Sequence, residues 1–356
     1  MNHSYILGWD IGGAHVKAAL LSPDGALVGV YQQPCPLWQG LERLQTAIRE
    51  ILQAPEVIGY QPVRHGVTMT GELVDLFASR EQGVRQIIST FAEMLPGHEL
   101  NVFAGRQGFI KVDKITPNHY AEVASANWLA SSLLAAKHFG SGLFIDIGST
   151  TTDIIAFNER EIKAEGFSDY QRLITGELVY TGIIRTPVMA VAQTVVDQNQ
   201  PVPLMAEYFA TMADVYRLTG ELNEKHDQCQ TADGAEKTIP ASAKRLARMI
   251  GCDYRDQELE RWLKFAEAIR RQQIQQIYLS CLRQSNKCRD AESNCVIGAG
   301  VGRFLVKHIA DQLSYTYRDF DEVFASVAVA QALMSPADCA PAAAVAKLLL
   351  IAGKLD

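Results

Sequence analysis

Two stretches of this 356-residue chain each run from an apolar segment into an aspartate, a glycine and a tight polar turn. The first, DIGGAHVK, begins at Asp10 after YILGW, and the second, DIGSTTTD, begins at Asp146 after GLFI. Further short apolar runs bounded by turn residues follow each stretch, which is the pattern of successive strands in a sheet. Because the same three-strand unit starts twice, we predict two similar domains.

The two copies correspond position by position. The equivalent pairs, with the first copy named before the second, are Asp10 and Asp146, Gly12 and Gly148, Gly13 and Ser149, and Lys17 and Asp153. The hydroxyl side chains of the second turn have no counterpart in the first. The shared part of the pattern is therefore the aspartate at the strand end and the glycine two residues later.

Length also favours two domains. We predict an α/β fold with an N-terminal domain over 1–140 and a C-terminal domain with helical insertions over 141–356, on either side of a central cleft. The predicted strands are 5–11, 14–22, 26–32, 65–69, 143–148, 151–157, 161–165 and 294–302, with a hairpin over 101–112. The predicted helices are 39–53, 82–94, 119–138, 187–197, 203–217, 240–250, 255–283, 320–334 and a buried one at 342–353.

Composition excludes several classes of protein. The net charge is −7 and no long basic run occurs, so a nucleic-acid partner is not expected. The apolar run at 342–353 is too short to span a bilayer, and the N-terminus lacks the features of a signal peptide. Seven scattered cysteines without a CxxC motif indicate reduced thiols and a cytoplasmic location. The oligomeric state is left open, with a homodimer as the candidate.

The second turn has the chemistry of an anion site. Gly148 lets the backbone turn sharply, and Ser149, Thr150 and Thr151 offer hydroxyl and backbone N–H donors to phosphate oxygens. An aspartate at the strand end, such as Asp146, can accept hydrogen bonds from the waters of Mg²⁺, which usually takes only one or two carboxylates. A single turn rich in Ser, Thr and Asp is more often only a turn. The second Asp-x-Gly copy is what favours a ligand site.

A third glycine-rich element is NCVIGAGVG at 294–302. Gly298, Gly300 and Gly302 would let the main chain lie against a flat base or a second anion. A GxGxG motif is weak on its own, and here it lacks the strand–helix–acid context of a dinucleotide fingerprint. The order of the three elements along the chain is the more specific signal.

The segments LGWDIGGAHVK, LFIDIGSTTTD and VIGAGVG resemble the two phosphate motifs and the adenosine motif of the actin, sugar-kinase and Hsp70 superfamily. The chain most resembles the hydantoinase and oxoprolinase branch of that superfamily, on TMTGEL at 68–73, NHYAEVASANWLAS at 118–131 and TGELVYTG at 175–182. More narrowly, it resembles the tetrahydromethanopterin-linked C1-transfer pathway proteins, which are similar to methanofuran-precursor synthases.

This resemblance implies a fold, a reaction and a set of ligands. The fold would be two ribonuclease-H-like domains of the actin-like ATPase type around a cleft. The reaction would be a transfer that condenses an aminomethylfuran diphosphate with a tyramine- or tyrosine-type phenol and releases diphosphate. Mg²⁺ would be the cofactor. Asp10 and Asp146 would act as catalytic and metal-binding carboxylates, and a carboxylate or a histidine would take the phenol proton. Glu72 and Glu177, each in a Thr-Gly-Glu-Leu stretch, are candidates for this base, and the alternative for each is an acid in the first turn of a helix.

Five further positions bear on the predicted site, and all but the first carry open alternatives. Ala14 replaces the Thr or Ser that ATP-using relatives usually carry, which weakens the case for ordinary ATP phosphotransfer. His15 and Lys17 share one strand face, which either neutralises a diphosphate or is exposed to solvent. Arg185 either pairs with an anionic substrate or is a surface residue. Asp153 either helps to place metal-bound waters or only closes its turn.

Two other functions use the same predicted architecture. One is an ATP-dependent kinase or a hydantoinase/oxoprolinase-type ATP hydrolase with the same cleft. The other is a non-enzymatic, nucleotide-switched scaffold like the actin-type filaments. A scaffold needs a long exposed apolar patch for self-assembly, and the sequence indicates none.

Overall fold

A computed structural model of the protein describes residues 4–288, 294–324 and 334–353. Its contacts divide the chain into two compact units. The first unit comprises Met1–Gly140, Glu159–Ile162 and Asp319–Asp356, and the second comprises Ser141–Asn158 and Lys163–Arg318.

The strands of the described residues are β1 (Ile6–Ile11), β2 (His15–Leu21), β3 (Leu27–Pro34), β4 (Arg64–Met69), β5 (Glu99–Phe103), β6 (Phe109–Lys111), β7 (Gly142–Ile147), β8 (Thr152–Asn158), β9 (Glu161–Ile162), β10 (Leu178–Val179), β11 (Thr194–Asp197), β12 (Gln200–Pro203), β13 (Cys295–Ala299) and β14 (Thr316–Asp319). The helices are α1 (Leu41–Leu52), α2 (Pro55–Tyr60), α3 (Arg80–Met94), α4 (Tyr120–Val123), α5 (Asn127–Phe139), α6 (Asp169–Thr175), α7 (Val188–Val191), α8 (Met212–Leu218), α9 (Ile239–Arg248), α10 (Leu259–Ser285), α11 (Arg303–Leu313) and α12 (Ala340–Ala352).

The first sheet has the strand order β3-β2-β1-β4-β5-β6. β1, β2 and β3 form an antiparallel meander, and β4 lies parallel to β1 on its other side. β1 is completely buried, because its apolar residues pack on both faces of the sheet. This burial fixes the position of Asp10 near the carboxyl end of the strand.

The C-terminal helix α12 belongs to the first unit, which corrects the predicted domain over 141–356. Its alanine-rich face reaches the sheet so closely that a Cβ on Gly8 would lie 2.2 Å from the carbonyl oxygen of Ala342. Helix α12 carries ten buried residues out of thirteen, so its apolar sequence is satisfied by this packing. The chain thus returns to its first domain at its end.

The second sheet repeats the same plan, with the order β10-β8-β7-β13-β14. β7 and β8 are an antiparallel hairpin, and β13 lies parallel to β7. The long helix α10 contributes Trp262, Phe265, Ile269 and Ile277 to the core of this unit. β11 and β12 form a separate antiparallel hairpin outside the sheet.

Most predicted elements are confirmed, with three informative exceptions. The helix predicted over 119–138 is interrupted between α4 and α5, where Ser125 adopts a left-handed φ of 51°. Where helices were predicted over 187–197 and 203–217, the structure has the short helices α7 and α8 with the β11–β12 hairpin between them. The β-branched run from Thr194 favours a strand over a helix. The helix predicted over 320–334 begins as a turn at Phe320–Val323, and its 325–333 part lies outside the described residues.

The described helices were compared with the length and hydropathy of a membrane-spanning helix. Among residues 4–288, 294–324 and 334–353, no helix combines the length and the hydropathy that a bilayer crossing requires.

Candidate active site

The two predicted turns share one backbone geometry. In the first, the N–H of Gly12 donates to the carbonyl of His15 at 3.0 Å, and in the second the N–H of Gly148 donates to the carbonyl of Thr151 at 2.9 Å. The strand pairing that leads into each turn is also equivalent, since Asp10 lies opposite Lys17 in the β1–β2 pair and Asp146 lies opposite Asp153 in the β7–β8 pair. The sequence equivalence of the two turns is therefore a structural equivalence.

The carbonyl groups of Gly148 and Ser149 in the second turn both accept hydrogen bonds from the segment 183–185. The carbonyl of Gly148 accepts from the N–H of Ile183 at 3.1 Å. The carbonyl of Ser149 accepts from the N–H groups of Ile184 and Arg185, at 3.1 and 2.9 Å. In a trans peptide the C=O and the following N–H point in opposite directions. The N–H groups of Ser149 and Thr150 therefore point away from this segment, as donors to an anion would.

The first turn is held in a similar way. The carbonyl of Gly13 accepts from the N–H of Leu37 at 3.0 Å, and the carbonyl of Ala14 accepts from the N–H of Cys35 at 2.7 Å. The same geometry directs the N–H groups of Ala14 and His15 away from the 35–37 segment. Ala14 lacks a hydroxyl, yet its turn keeps backbone donors that fit a phosphate oxygen.

The side chains of the second turn add donors. The hydroxyl of Ser149 is inaccessible to solvent and has no hydrogen-bond partner among the described residues. Arg185 is exposed, and its Nη1 donates to the hydroxyl of Thr150 at 3.3 Å. Arg185 is therefore both exposed and beside the turn, so its role towards an anionic ligand stays a prediction.

Asp10 and Asp146 both sit at strand ends but in different surroundings. Asp10 is 8% exposed, and the amide of Asn127 at the start of α5 makes a long contact of 3.5 Å to its Oδ1. Asp146 is more accessible, and Gly300 lies against it so closely that a Cβ there would be 2.3 Å from its Oδ1. Within the searched, described residues, no group of three or more His, Cys, Asp or Glu side chains is placed to hold a metal. Mg²⁺ does not need such a group, because it keeps most of its waters.

Only one of the three glycines in the GxGxG segment approaches a predicted site residue. A Cβ on Gly298 would meet the ring of Tyr317, and one on Gly302 would meet Ile147. These two glycines make room for protein side chains. Gly300, with φ at +80°, is the one that permits close contact with the second turn.

Lys17 is not left exposed, and its role in neutralising a diphosphate stays a prediction. It is half-buried, and its ammonium group donates to the carbonyl of Asp338 at 2.8 Å, just before α12. Lys17 therefore ties the first hairpin to the C-terminal segment. His15 is also half-buried on the same strand face.

Glu72 is buried in a small polar cluster of the first unit. Its Oε1 accepts from the hydroxyl of Ser125 at 2.8 Å and from Nη2 of Arg80 at 3.3 Å. Burial raises the pKa of the Glu72 carboxyl above its ordinary value, against the opposing effects of the Ser125 hydrogen bond and the Arg80 charge. Its Oε2 has no hydrogen-bond partner among the described residues. A carboxylate in this environment holds a proton more readily than one in water.

Asp153 is engaged in an ion pair. Arg172 is 2% exposed, and its Nη2 donates to the Asp153 carboxylate. Burial raises the pKa of Asp153, while the charge of Arg172 and its hydrogen bond lower it. The pair fastens α6 to the β7–β8 hairpin.

Sequence reasoning missed the segment that holds the second turn. Gly182 lies so close that a Cβ would be 2.4 Å from the backbone nitrogen of Thr150. Gln273 of α10 braces this segment by donating to the Thr181 hydroxyl at 2.7 Å and to the Gly182 carbonyl at 2.9 Å. The stretch TGELVYTG, which contains Thr181 and Gly182, was the available signal.

The two repeated sheets, each opening with an Asp-x-Gly hairpin, place the chain in the class of actin-like, sugar-kinase and Hsp70-type folds. Residues 64–337, more than half of the chain, match the family model described as hydantoinase/oxoprolinase. This protein belongs to the hydantoinase/oxoprolinase family.

Two relatives carry the same name, (4-{4-[2-(gamma-L-glutamylamino)ethyl]phenoxymethyl}furan-2-yl)methanamine synthase. The protein of Methanocaldococcus jannaschii is 28% identical over 342 residues, covering 94% of this chain and 98% of the relative. That of Methanococcus vannielii is 30% identical over 111 residues, covering 31% of this chain and 50% of the relative. Among solved structures, nucleotide-free acetone carboxylase is similar with a TM-score of 0.52 and 11% identity, covering 87% of this chain and 67% of that one. That likeness concerns the fold alone.

Proposed function

We propose that this protein is a transferase that joins an aminomethylfuran diphosphate to a phenol of the tyramine or tyrosine type. The observation that carries the proposal is similarity to a named synthase over nearly the full length of both chains. The name of that synthase describes a product in which a phenoxymethyl group is attached to a furan that also bears a methanamine. A phenol–methylene ether is the bond that such a transferase forms.

The proposed reaction exchanges one carbon–oxygen bond for another. The methylene carbon of the furan loses its bond to the diphosphate oxygen and gains a bond to the phenol oxygen. The diphosphate leaves with the bonding electron pair, and the phenol proton passes to a base. Catalysis then requires stabilisation of the departing diphosphate and removal of one proton.

The backbone geometry of the turns supports a site for the diphosphate. The N–H groups of Ser149 and Thr150 are directed away from the segment that holds their turn, and Arg185 lies beside the same turn. We place Asp10 and Asp146 as the carboxylates that hold Mg²⁺. The bound ion would neutralise charge on the leaving diphosphate.

Glu72 is the proposed base. Its pKa is raised by burial, which moves a carboxyl towards the working range of a general base near neutral pH. The Ser125 hydroxyl and Arg80 hold one of its oxygens, and the other oxygen has no protein partner within the described residues.

The test is a product assay with purified protein, Mg²⁺, aminomethylfuran diphosphate and either tyramine or its γ-glutamyl derivative. We expect the ether and inorganic diphosphate in equal amounts, measured by mass spectrometry and a phosphate assay. Asp146→Asn should lose product formation, whereas the matched control Asp113→Asn, at an exposed aspartate of the first unit, should keep it. Formation of the ether by Asp146→Asn at the wild-type rate would contradict the site.

A second function is favoured by the family match. The hydantoinase/oxoprolinase model covers residues 64–337, and an ATP-dependent kinase or ATP hydrolase would use the same turns. The same preparation, given Mg²⁺ and ATP, separates the two functions. Turnover of ATP without ether formation would favour this alternative, and ether formation without ATP would favour the transferase.

A further inference from the structure

The second unit exposes a group of large apolar side chains on α6, just before it, and on the C-terminal half of α10. The sequence analysis did not anticipate this group. We call it the α6–α10 face. Its members, with their exposed fractions, are Phe167 38%, Tyr170 75%, Leu173 49%, Ile174 59%, Leu279 56% and Leu282 39%.

Hydrogen bonds join the C-terminal end of α6 to α10. Nη1 of Arg283 on α10 donates to the carbonyl of Ile174 on α6 at 3.0 Å, and the amide of Gln284 donates to the carbonyl of Thr175 at 2.8 Å. Leu279 lies four residues before Arg283 and therefore on the same side of α10. On α6, Tyr170 and Ile174 are likewise four residues apart and share one side.

The exposed area matches what a stable dimer needs. At about 200 Å² for each fully exposed large apolar side chain, the face presents roughly 600 Å² of apolar surface. A standard interface buries about 800 Å² per partner, of which about 60% is apolar. The apolar part of such an interface is already present here, and it lies at the upper end of what monomeric proteins expose, about 300–600 Å².

The charge pattern favours a second copy of this chain as the partner. The chain as a whole carries a net charge of −7, so two copies repel over most orientations. The exposed residues of α6 are Tyr170, Gln171, Leu173 and Ile174, and none of them is charged. Between Gln275 and Ser285, the exposed residues include one charged side chain, Arg283. Two copies can meet at this face without bringing fully exposed carboxylates of the two helices together, and the half-buried Asp169 is the carboxylate next to Tyr170.

We propose that the α6–α10 face is the contact of a twofold-symmetric homodimer. In a twofold interface the same patch packs against its own copy, so each substitution acts twice. The face lies on the second unit and requires none of the residues of the proposed active site, so the dimer does not depend on the proposed reaction.

Sedimentation of the full chain tests the dimer. We expect a species of twice the 39.2 kDa chain mass at micromolar concentration. Leu279→Glu should weaken dimerisation by at least about 100-fold, because two carboxylates would lose their water in the contact where two leucine side chains packed before. The matched control is Ile58→Glu on α2 of the first unit, since Ile58 is also 56% exposed. It should dimerise like the wild type.

Ile174→Glu serves as a second variant in case Leu279→Glu does not fold, with circular dichroism as the check on folding. A wild-type chain that sediments as a monomer overturns the proposal and leaves the face to a different partner. Wild-type dimers that both folded variants keep would also overturn it. Open-ended polymers in place of a dimer would contradict the closed, twofold arrangement and favour the scaffold alternative.

Discussion

Gly182 offers the sharpest test of how the second turn is held. A Cβ at this position would lie 2.4 Å from the backbone nitrogen of Thr150, 2.5 Å from the carbonyl carbon of Ser149 and 2.6 Å from the carbonyl oxygen of Gly148. Contacts between a Cβ and such atoms normally begin near 3.5 Å. Gly182→Ala must therefore displace the turn by about 1 Å, since all three atoms are backbone and none can rotate away.

The displacement sets the expected magnitude. A misplacement of about 1 Å in a positioning element costs on the order of 100-fold in rate. Overpacking of this kind destabilises a fold by about 1–3 kcal/mol, so the variant should still fold. We expect kcat/KM for the furan diphosphate to fall by roughly 100-fold, because the displaced N–H groups of Ser149 and Thr150 no longer meet the departing charge.

The assay compares Gly182→Ala with Gly59→Ala in the same preparation. Gly59 lies in α2 with no atom near the added Cβ, so its substitution adds the same methyl group without a clash. Steady-state kinetics at several diphosphate concentrations give kcat/KM for each variant. If a folded Gly182→Ala variant works within about threefold of the wild type, the argument that this segment positions the turn is refuted.

The structure fixes the direction of three other effects, two on stability and one on activity. Burial, and secondarily the nearby His98, lower the pKa of His65 to about 3. The stability that the neutral His65 contributes is therefore complete above about pH 6.5 and declines by about 1.4 kcal/mol per pH unit as the pH falls towards 3. Urea unfolding of the wild type and of His65→Gln at several pH values would measure this decline. Asp153→Asn removes the carboxylate charge that the buried Arg172 contacts, so the urea midpoint should fall by the equivalent of up to about 3–5 kcal/mol. Glu72→Gln should lower kcat by about 100-fold or more and remove the acidic limb of the pH–rate profile; activity within threefold of the wild type would exclude Glu72 as the base.

The elements that position the two turns could be predicted because their signals are local. The antiparallel hairpins at Asp10 and Asp146 follow from apolar runs broken by glycine, and the structure pairs their strands as expected. These features depend on residues close together in the chain, where periodicity is informative.

The contacts that could not be predicted from the sequence join residues far apart in the chain. The Lys17 contact joins residues 321 positions apart, and the brace from Gln273 to Thr181 spans 92 positions. No local pattern marks such pairs. The break between α4 and α5 was missed for the same reason, since the left-handed Ser125 donates its hydroxyl to the distant, buried Glu72. The return of α12 to the first sheet is a matter of topology, which helix periodicity does not reveal.

The central proposal is that Asp10 and Asp146 hold one Mg²⁺–diphosphate unit together. The most direct measurement is a double-mutant cycle on Mn²⁺–diphosphate binding, using calorimetry on the wild type, Asp10→Asn, Asp146→Asn and the double variant. If both carboxylates hold the same ion, each single variant should bind at least about 100-fold more weakly, and the double variant should be little worse than either. If the losses of binding free energy in the two single variants add up in the double variant, the two aspartates do not share a ligand. Full binding by either single variant would show the same.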